Sequence, residues 1–190
     1  DRINGGAAVG NGRIYLGGCG GVLYVLDAAN GKEVGTVGAG IVAGSPAVTE
    51  TTAYIPDMEG ELSAHDLVKD KFLWFFSAND RVISTPAVGE KIVVVGSWDT
   101  MFYGLKRTDG EQVWSFATGD KIESSPVIAG DRVLGTSGDG FLYMLDVATG
   151  KELWSFELGG YVVPSPAVAG NRVVVGGGET LFAFGPAGEE

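Results

Sequence analysis

Residues 121–160, KIESSPVIAGDRVLGTSGDGFLYMLDVATGKELWSFELGG, decide the fold of this 190-residue chain. They contain four short runs rich in apolar and β-branched residues, at 126–129, 132–136, 141–146 and 152–156. Segments rich in glycine, aspartate and threonine separate the runs, and such segments favour hairpin turns. Runs of four to six residues have the length of strands, and no window shows the apolar stripe of a helix. The unit is therefore predicted to be a four-stranded antiparallel meander.

Two sequence markers show that this unit recurs every 40 residues. Four prolines, each preceded by Ser or Thr and followed by Ala or Val, have this spacing: Pro46, Pro86, Pro126 and Pro166. Three tryptophans have the same spacing: Trp74, Trp114 and Trp154. The repeats follow as about 1–40, 41–80, 81–120, 121–160 and 161–190. The first is a worn copy with Gly35 at the tryptophan position, and the last ends after its third apolar run.

A repeated four-stranded unit of about 40 residues is typical of a β-propeller blade. One blade cannot bury both of its faces, so neighbouring blades must stack. We therefore predict one all-β propeller domain over residues 1–190, or a piece of a larger propeller, with four full repeats, a partial fifth and 19 strands. The recurring tryptophan is predicted to lie on the outermost strand and to fasten adjacent blades, because aromatic side chains bury a large area.

The run LYMLDVATGKELW at 142–154 resembles the tryptophan-docking repeat of the quinoprotein family, whose pattern is roughly LYALDAxTGKxxW. The run SPAV at 165–168 is similar to the start of that family's innermost strand. The resemblance covers nearly the whole chain and weakens in the second repeat and at both ends. It implies a propeller, an extracytoplasmic location, periplasmic or at the cell surface, and one of two functional groups.

One group consists of dehydrogenases that hold pyrroloquinoline quinone and Ca²⁺ at the hub of an eight-bladed ring. The other consists of non-enzymatic propellers, among them a lipoprotein of the outer-membrane β-barrel assembly machinery and sensor or cell-surface modules. The dehydrogenases typically carry two adjacent cysteines at the cofactor, whereas Cys19 is the single cysteine of this chain. The sequence is therefore identified as resembling the non-enzymatic branch, with no cofactor.

The charge of the chain narrows the class of partner. The formal net charge is −11, and no basic stripe is present, which disfavours nucleic acid and anionic membrane surfaces. No apolar run has the length of a membrane span. One cysteine and one histidine cannot form a cysteine- or histidine-based metal site, and no local run supplies the six to eight oxygen ligands that calcium needs. We predict no bound metal.

Two sets of loops share one face of a propeller, and this face is the usual ligand face of the fold. The first set joins second to third strands, at 17–21, 57–60, 97–100, 137–140 and 177–180. The second set joins one blade to the next, at about 38–43, 77–82, 117–123 and 158–163.

Trp98 is the single tryptophan off the 40-residue spacing, and it lies beside Asp99 in one of these loops. We predict that Trp98 anchors a partner, since aromatic residues are favoured anchors at interfaces, and that Asp99 belongs to the same binding site. The alternative is that Trp98 covers the hydrophobic hub.

Charged residues surround this position in the neighbouring loops. Glu123 stands where the other repeats have the apolar residues Ala43, Ile83 and Val163. It therefore either lines a central channel or binds a cation or polar ligand, the alternative being a solvated charge paired with Lys121. Four more charged residues crowd the same two interblade loops: Asp80, Arg81, Asp120 and Lys121. They are predicted to form a polar rim around Trp98, the alternative being that they are merely solvated.

The function predicted from these observations is that of a non-catalytic binding or scaffold propeller. It would present its loop face to a protein, peptide or glycan. Two alternatives stay open at this point. One is a piece of a quinone-dependent dehydrogenase, and the other is a structural array that associates with other copies through its open blade edges.

Overall fold

A computed structural model of the chain describes residue 3 and residues 5–185. Within that part, 19 strands form five antiparallel sheets, and each sheet contains strands that are consecutive in sequence. The first four sheets have four strands and the fifth has three. The prediction of an all-β propeller with four full repeats and a partial fifth is confirmed. The end of the last repeat, residues 186–190, lies outside the described residues, as do residues 1, 2 and 4.

The strands follow the repeat closely. The first blade contains β1 (Ala8–Gly10), β2 (Arg13–Gly17), β3 (Val22–Asp27) and β4 (Glu33–Gly38). The second contains β5 (Ala47–Val48), β6 (Thr52–Pro56), β7 (Glu61–Asp66) and β8 (Lys71–Ser77). The third contains β9 (Ala87–Val88), β10 (Ile92–Gly96), β11 (Met101–Lys106) and β12 (Gln112–Ala117). The fourth contains β13 (Val127–Ala129), β14 (Arg132–Thr136), β15 (Phe141–Asp146) and β16 (Glu152–Glu157). The fifth contains β17 (Ala167–Ala169), β18 (Arg172–Gly177) and β19 (Thr180–Phe184).

The strand bounds in the fourth blade differ from the predicted runs by at most one residue. The innermost strand β13 begins at Val127, directly after Pro126, rather than at the proline itself. Proline has no N–H to donate to a sheet, so it marks the start of a strand and does not join the ladder. The outer strand β16 extends one residue further than predicted, to Glu157.

A bulge recurs where the third and fourth strands of each complete blade pair. The register shifts after Val25, Ala64, Gly104 and Met144, which occupy equivalent positions in the four blades. A bulge bends its strand and increases the local twist. The partner of each of these residues is the repeat tryptophan or, in the first blade, Gly35.

The hydrophobic core consists of four clusters, and each lies between two adjacent blades. Tyr15 and Leu23 pack with Ile55 between the first and second blades. Phe102 packs with Val133 between the third and fourth. The remaining two clusters join the second blade to the third and the fourth to the fifth. The apolar side chains of one repeat are therefore buried by the neighbouring blade, and one repeat alone would not form a stable core.

The repeat tryptophans lie across the boundary to the next blade. The indole Nε1 of Trp74 donates a hydrogen bond to the carbonyl oxygen of Arg107 at 3.2 Å. The indole Nε1 of Trp114 donates to the carbonyl oxygen of Val147 at 2.9 Å. Each acceptor lies 33 residues further along the chain, in the turn between the third and fourth strands of the next blade. Both tryptophans are buried, with 6% of each residue exposed.

The turn that receives each tryptophan needs a glycine. Gly150 has a φ of +68°, and a Cβ added there would lie 2.5 Å from the Trp114 ring. Gly110, with a φ of +75°, has the same relation to Trp74. Both partners are absent from the boundary between the first and second blades, because Gly35 stands at the tryptophan position of the first and Asp70 at the glycine position of the second. Asp70 keeps the left-handed backbone, with a φ of +50°.

Candidate functional site

The predicted ligand face is built by backbone hydrogen bonds between its two sets of loops. The N–H of Trp98 donates to the carbonyl oxygen of Arg81 at 2.9 Å, and the N–H of Gly138 donates to that of Lys121 at 3.0 Å. Met58 and Ile41 form the same bond in the second blade, at 2.9 Å. The first residue of the second, third and fourth repeats is therefore held against the turn between the second and third strands of its own blade. This places Arg81, Trp98 and Lys121 side by side.

Two cations lie over the indole ring of Trp98 on this face. The guanidinium carbon of Arg81 lies 4.8 Å from the centroid of the indole ring, and the ammonium nitrogen of Lys121 lies 4.4 Å from it. Both distances fall within the range of cation–π attraction. The indole is only partly buried, yet its Nε1 is inaccessible and has no hydrogen-bond partner among the described residues.

Tyr161 extends this arrangement into the fifth blade. The Lys121 ammonium lies 5.7 Å from the centroid of the Tyr161 ring, and a hydrogen bond with the tyrosine hydroxyl raises the pKa of Lys121. The tyrosine ring packs over Gly138, where an added Cβ would lie 2.5 Å from it. Arg81, Trp98, Lys121 and Tyr161 thus form a continuous row across three blades, which we call the Trp98 row.

Tyr161 was absent from the residues predicted for the site. The spacing of the repeats could have identified it, because residues 41, 81, 121 and 161 are equivalent and only the last is aromatic. Tyr161 is 49% exposed.

The carboxylate of Asp99 has internal partners. It accepts hydrogen bonds from the N–H of Asn79 at 2.9 Å and from the hydroxyl of Tyr103 at 2.7 Å. The equivalent Asp139 accepts from Gly119 and from Tyr143 in the fourth blade. The bond to Asn79 ties the turn that carries Asp99 to the preceding interblade loop. Contact of Asp99 with a partner stays a prediction.

These contacts raise the pKa of both tyrosines. Burial is the largest cause for Tyr103, followed by its hydrogen bond to the Asp99 carboxylate. Burial and the Asp139 carboxylate act in the same way on Tyr143. Both phenols therefore stay protonated well above the pH at which a free tyrosine ionises.

The remaining predicted residues border the row. The carboxylates of Asp80 and Asp120 each accept a hydrogen bond from the next residue's N–H, at 2.7 Å in both cases. Glu123 lies 3.5 Å from the Lys121 ammonium, the pairing that the sequence left as an alternative. This ion pair is partly exposed, so its contribution to stability is small.

The described residues contain no group of three or more His, Cys, Asp or Glu side chains arranged to hold a metal ion. Nor do they form a helix that is long and apolar enough to cross a bilayer.

Consecutive antiparallel meanders, joined by tryptophans that dock on the next blade, define a β-propeller of the quinoprotein-like class. The sequence profile of one family, described as "Outer membrane protein assembly factor BamB", matches residues 19–128 and 103–187. The chain belongs to this family, in agreement with the resemblance found in its repeats.

A solved structure supports the fold independently. The crystal structure of BamB from Moraxella catarrhalis superposes with a TM-score of 0.86 over 97% of this chain, at 17% sequence identity. The chain spans 62% of the length of that protein. No curated protein sequence matches the chain.

Proposed function

We propose that this chain is a non-catalytic, protein-binding scaffold that acts in outer-membrane protein assembly on the periplasmic side of that membrane. Membership of the BamB family supports the process and the location. The observation that carries the binding role is the Trp98 row, in which two cations lie over a partly exposed indole whose N–H has no partner in the described part of the chain.

The chemistry of this row suits a protein or peptide partner. Tryptophan, tyrosine and arginine are the residues that most often dominate the binding energy of protein interfaces. The loops beneath the row are held by backbone hydrogen bonds, so little conformational freedom remains to be lost on binding.

The unpaired indole N–H adds a specific requirement. A buried donor without an acceptor costs about 1–3 kcal/mol, and a partner carbonyl that reached it would recover part of that energy. Because the nitrogen has no accessible surface, an acceptor reaches it only after a neighbouring side chain moves. Arg81 and Lys121 contact the ring through long, flexible side chains and are able to make that movement.

Trp98→Met tests the proposal with a substitution that the fold is expected to tolerate, because the second repeat has Met58 at the same position. The purified chain would be immobilised and exposed to detergent-solubilised outer-membrane assembly machinery. The Kd for the machinery's barrel component would then be measured. We expect the substitution to weaken binding about 30-fold, the effect of a 2 kcal/mol interface anchor.

Phe75→Ser is the matched control. Phe75 is 56% exposed on β8, and the third and fourth repeats have Ser115 and Ser155 at the equivalent position. This control should leave the Kd unchanged. If Phe75→Ser weakened binding and Trp98→Met did not, the binding surface would be the outer edge of the second blade and the proposal would be wrong.

Two further measurements separate the other functions that the sequence left open. Reduction of a redox dye after incubation with pyrroloquinoline quinone and Ca²⁺ would contradict the non-catalytic role. A glycan array tests for a carbohydrate ligand. If a glycan bound and its binding depended on Trp98, the proposal of a protein partner would be wrong. Association of copies through blade edges stays a prediction that light scattering tests.

A further inference from the structure

The third blade departs from its neighbours in the turn that follows its third strand. The other complete repeats have an aspartate at the end of this strand, Asp27, Asp66 and Asp146, whereas the third has Lys106. Each aspartate accepts hydrogen bonds from backbone N–H groups of the turn, such as that from Thr149 to Asp146 at 2.8 Å. A lysine side chain cannot accept these bonds. The Lys106 ammonium pairs instead with Glu111.

The next residue is also more basic than its equivalents in the other repeats. Arg107 stands where the other complete repeats have the apolar residues Ala28, Leu67 and Val147. Two consecutive cations therefore replace an acidic residue and an apolar residue. The substitution exchanges the hydrogen bonds of the aspartate for an exposed ion pair between Lys106 and Glu111, a kind of contact that contributes little to stability.

Both cations line a groove between the second and third blades. The groove has a volume of about 730 Å³, comparable to that of many ligand sites. Lys91 adds a third cation, and Glu90 is the one carboxylate among the lining residues. Successive turns of a meander alternate between its two ends. The groove therefore opens on the opposite face of the propeller from the Trp98 row.

Arg107 is held in place with donors to spare. Its Nε donates to the hydroxyl of Tyr54 at 3.0 Å, and its Nη1 donates to the carbonyl oxygen of Gly89 at 3.4 Å. The guanidinium group has five N–H donors, and the remaining ones have no partner among the described residues. The Lys91 ammonium likewise makes no ion pair within the described part of the chain.

Two exposed apolar side chains also line the groove. Leu73, on the outer strand of the second blade, is 42% exposed, and Val113, on that of the third, is 44% exposed. A free inorganic anion would leave these side chains in water. A peptide would cover them with its own apolar side chains while its carboxylate met the cations.

The next groove around the ring provides an internal comparison. It lies between the third and fourth blades, has a volume of about 320 Å³, and has Val147 and Ala148 in place of Arg107 and Thr108. Lys91 and Glu90 line both grooves. The cationic character of the larger groove therefore comes from the substitutions at 106 and 107.

We propose that the groove between the second and third blades binds a carboxylate of an extended acidic peptide. Arg107 and Lys91 hold the carboxylate, and Leu73 and Val113 receive the flanking apolar side chains. Charge-assisted hydrogen bonds from a planar guanidinium give such a site both strength and orientation. In a chain with a net charge of −11, this groove offers acidic segments a local cationic surface. The proposal does not depend on the function assigned to the Trp98 row.

The test uses the purified chain labelled with ¹⁵N and the peptide acetyl-Leu-Glu-Leu-Glu-amide. We expect saturable shifts of the Lys91, Arg107 and Thr108 amide signals. The uncharged peptide acetyl-Leu-Gln-Leu-Gln-amide should bind at least about tenfold more weakly, because it cannot form charge-assisted hydrogen bonds. The double substitution Lys106→Asp and Arg107→Val should abolish the saturable shifts.

The double variant restores the residues of the fourth repeat, so its fold is expected to be retained, and its amide spectrum reports this directly. Arg132→Gln removes a cation from a different groove and should leave peptide binding unchanged. Equal binding of the two peptides would overturn the proposal. Inorganic phosphate that shifted the same amide signals saturably, with an affinity equal to that of the acidic peptide, would also overturn it. The site would then recognise a free anion.

Discussion

Truncation of Trp114 tests the idea that blades are fastened in pairs by their tryptophans. Aromatic side chains bury about 150–250 Å², which at about 25 cal/mol per Å² corresponds to roughly 4–6 kcal/mol. Substitutions of buried aromatic residues by alanine cost about 3–5 kcal/mol, and the loss of the hydrogen bond to the Val147 carbonyl adds about 1 kcal/mol. We therefore expect Trp114→Ala to lower the free energy of unfolding by about 4 kcal/mol.

Urea unfolding followed by far-ultraviolet circular dichroism measures this change. Trp114→Phe keeps most of the apolar area and loses the indole hydrogen bond, so it should cost only about 1–2 kcal/mol. Val113→Ala, on the same strand but 44% exposed, should change stability by less than about 0.5 kcal/mol. A cost below about 1 kcal/mol for Trp114→Ala would refute the fastening role. A smaller dependence of the free energy of unfolding on urea concentration in that variant would indicate that the third and fourth blades now unfold separately.

Two further predictions concern the first blade and the buried tyrosines. In urea unfolding, the double variant Gly35→Trp with Asp70→Gly should have a free energy of unfolding about 1–2 kcal/mol higher than that of the wild type. Gly35→Trp alone should raise it clearly less, because the Cβ of Asp70 lies where a docked ring would pack. Additive effects of the two substitutions would contradict this coupling. Because burial and Asp99 raise the pKa of Tyr103 in the folded state, its contribution to stability is complete below about pH 10 and falls above it, where only the unfolded state releases the proton. The urea midpoint should therefore decline as the pH is raised from 8 to 11, and this decline should be smaller in Tyr103→Phe. An equal decline in the variant would show that Tyr103 does not contribute.

Much of the fold follows from local chemistry. Turn residues between runs of four to six β-branched and aromatic residues specify the meander, and the spacing of Pro126 and Trp154 from their counterparts specifies the repeat. Each of these signals acts within a few residues along the chain. The strand bounds of the fourth blade could therefore be predicted to within one residue.

The candidate site was only partly predictable. Trp98 stood out because it lies off the 40-residue spacing of the other tryptophans, and Lys121 because charged residues crowd its interblade loop. The structure places them in contact. Asp99 stood out for its position alone, and its internal hydrogen bonds to Asn79 and Tyr103 were not readable from the sequence. Those bonds depend on where the preceding interblade loop returns, which is a property of the assembled blade.

The sequence by itself determined the period, the strands, the turns and the family, because hairpin geometry and strand alternation are set by neighbouring residues. The tertiary structure alone decided which side chains meet across blades. It brought Tyr161 to Lys121, and it placed Arg107 against Tyr54 of the preceding blade. Residues 40 or more positions apart become neighbours only when blades stack around a common axis, and that stacking follows from burial between blades.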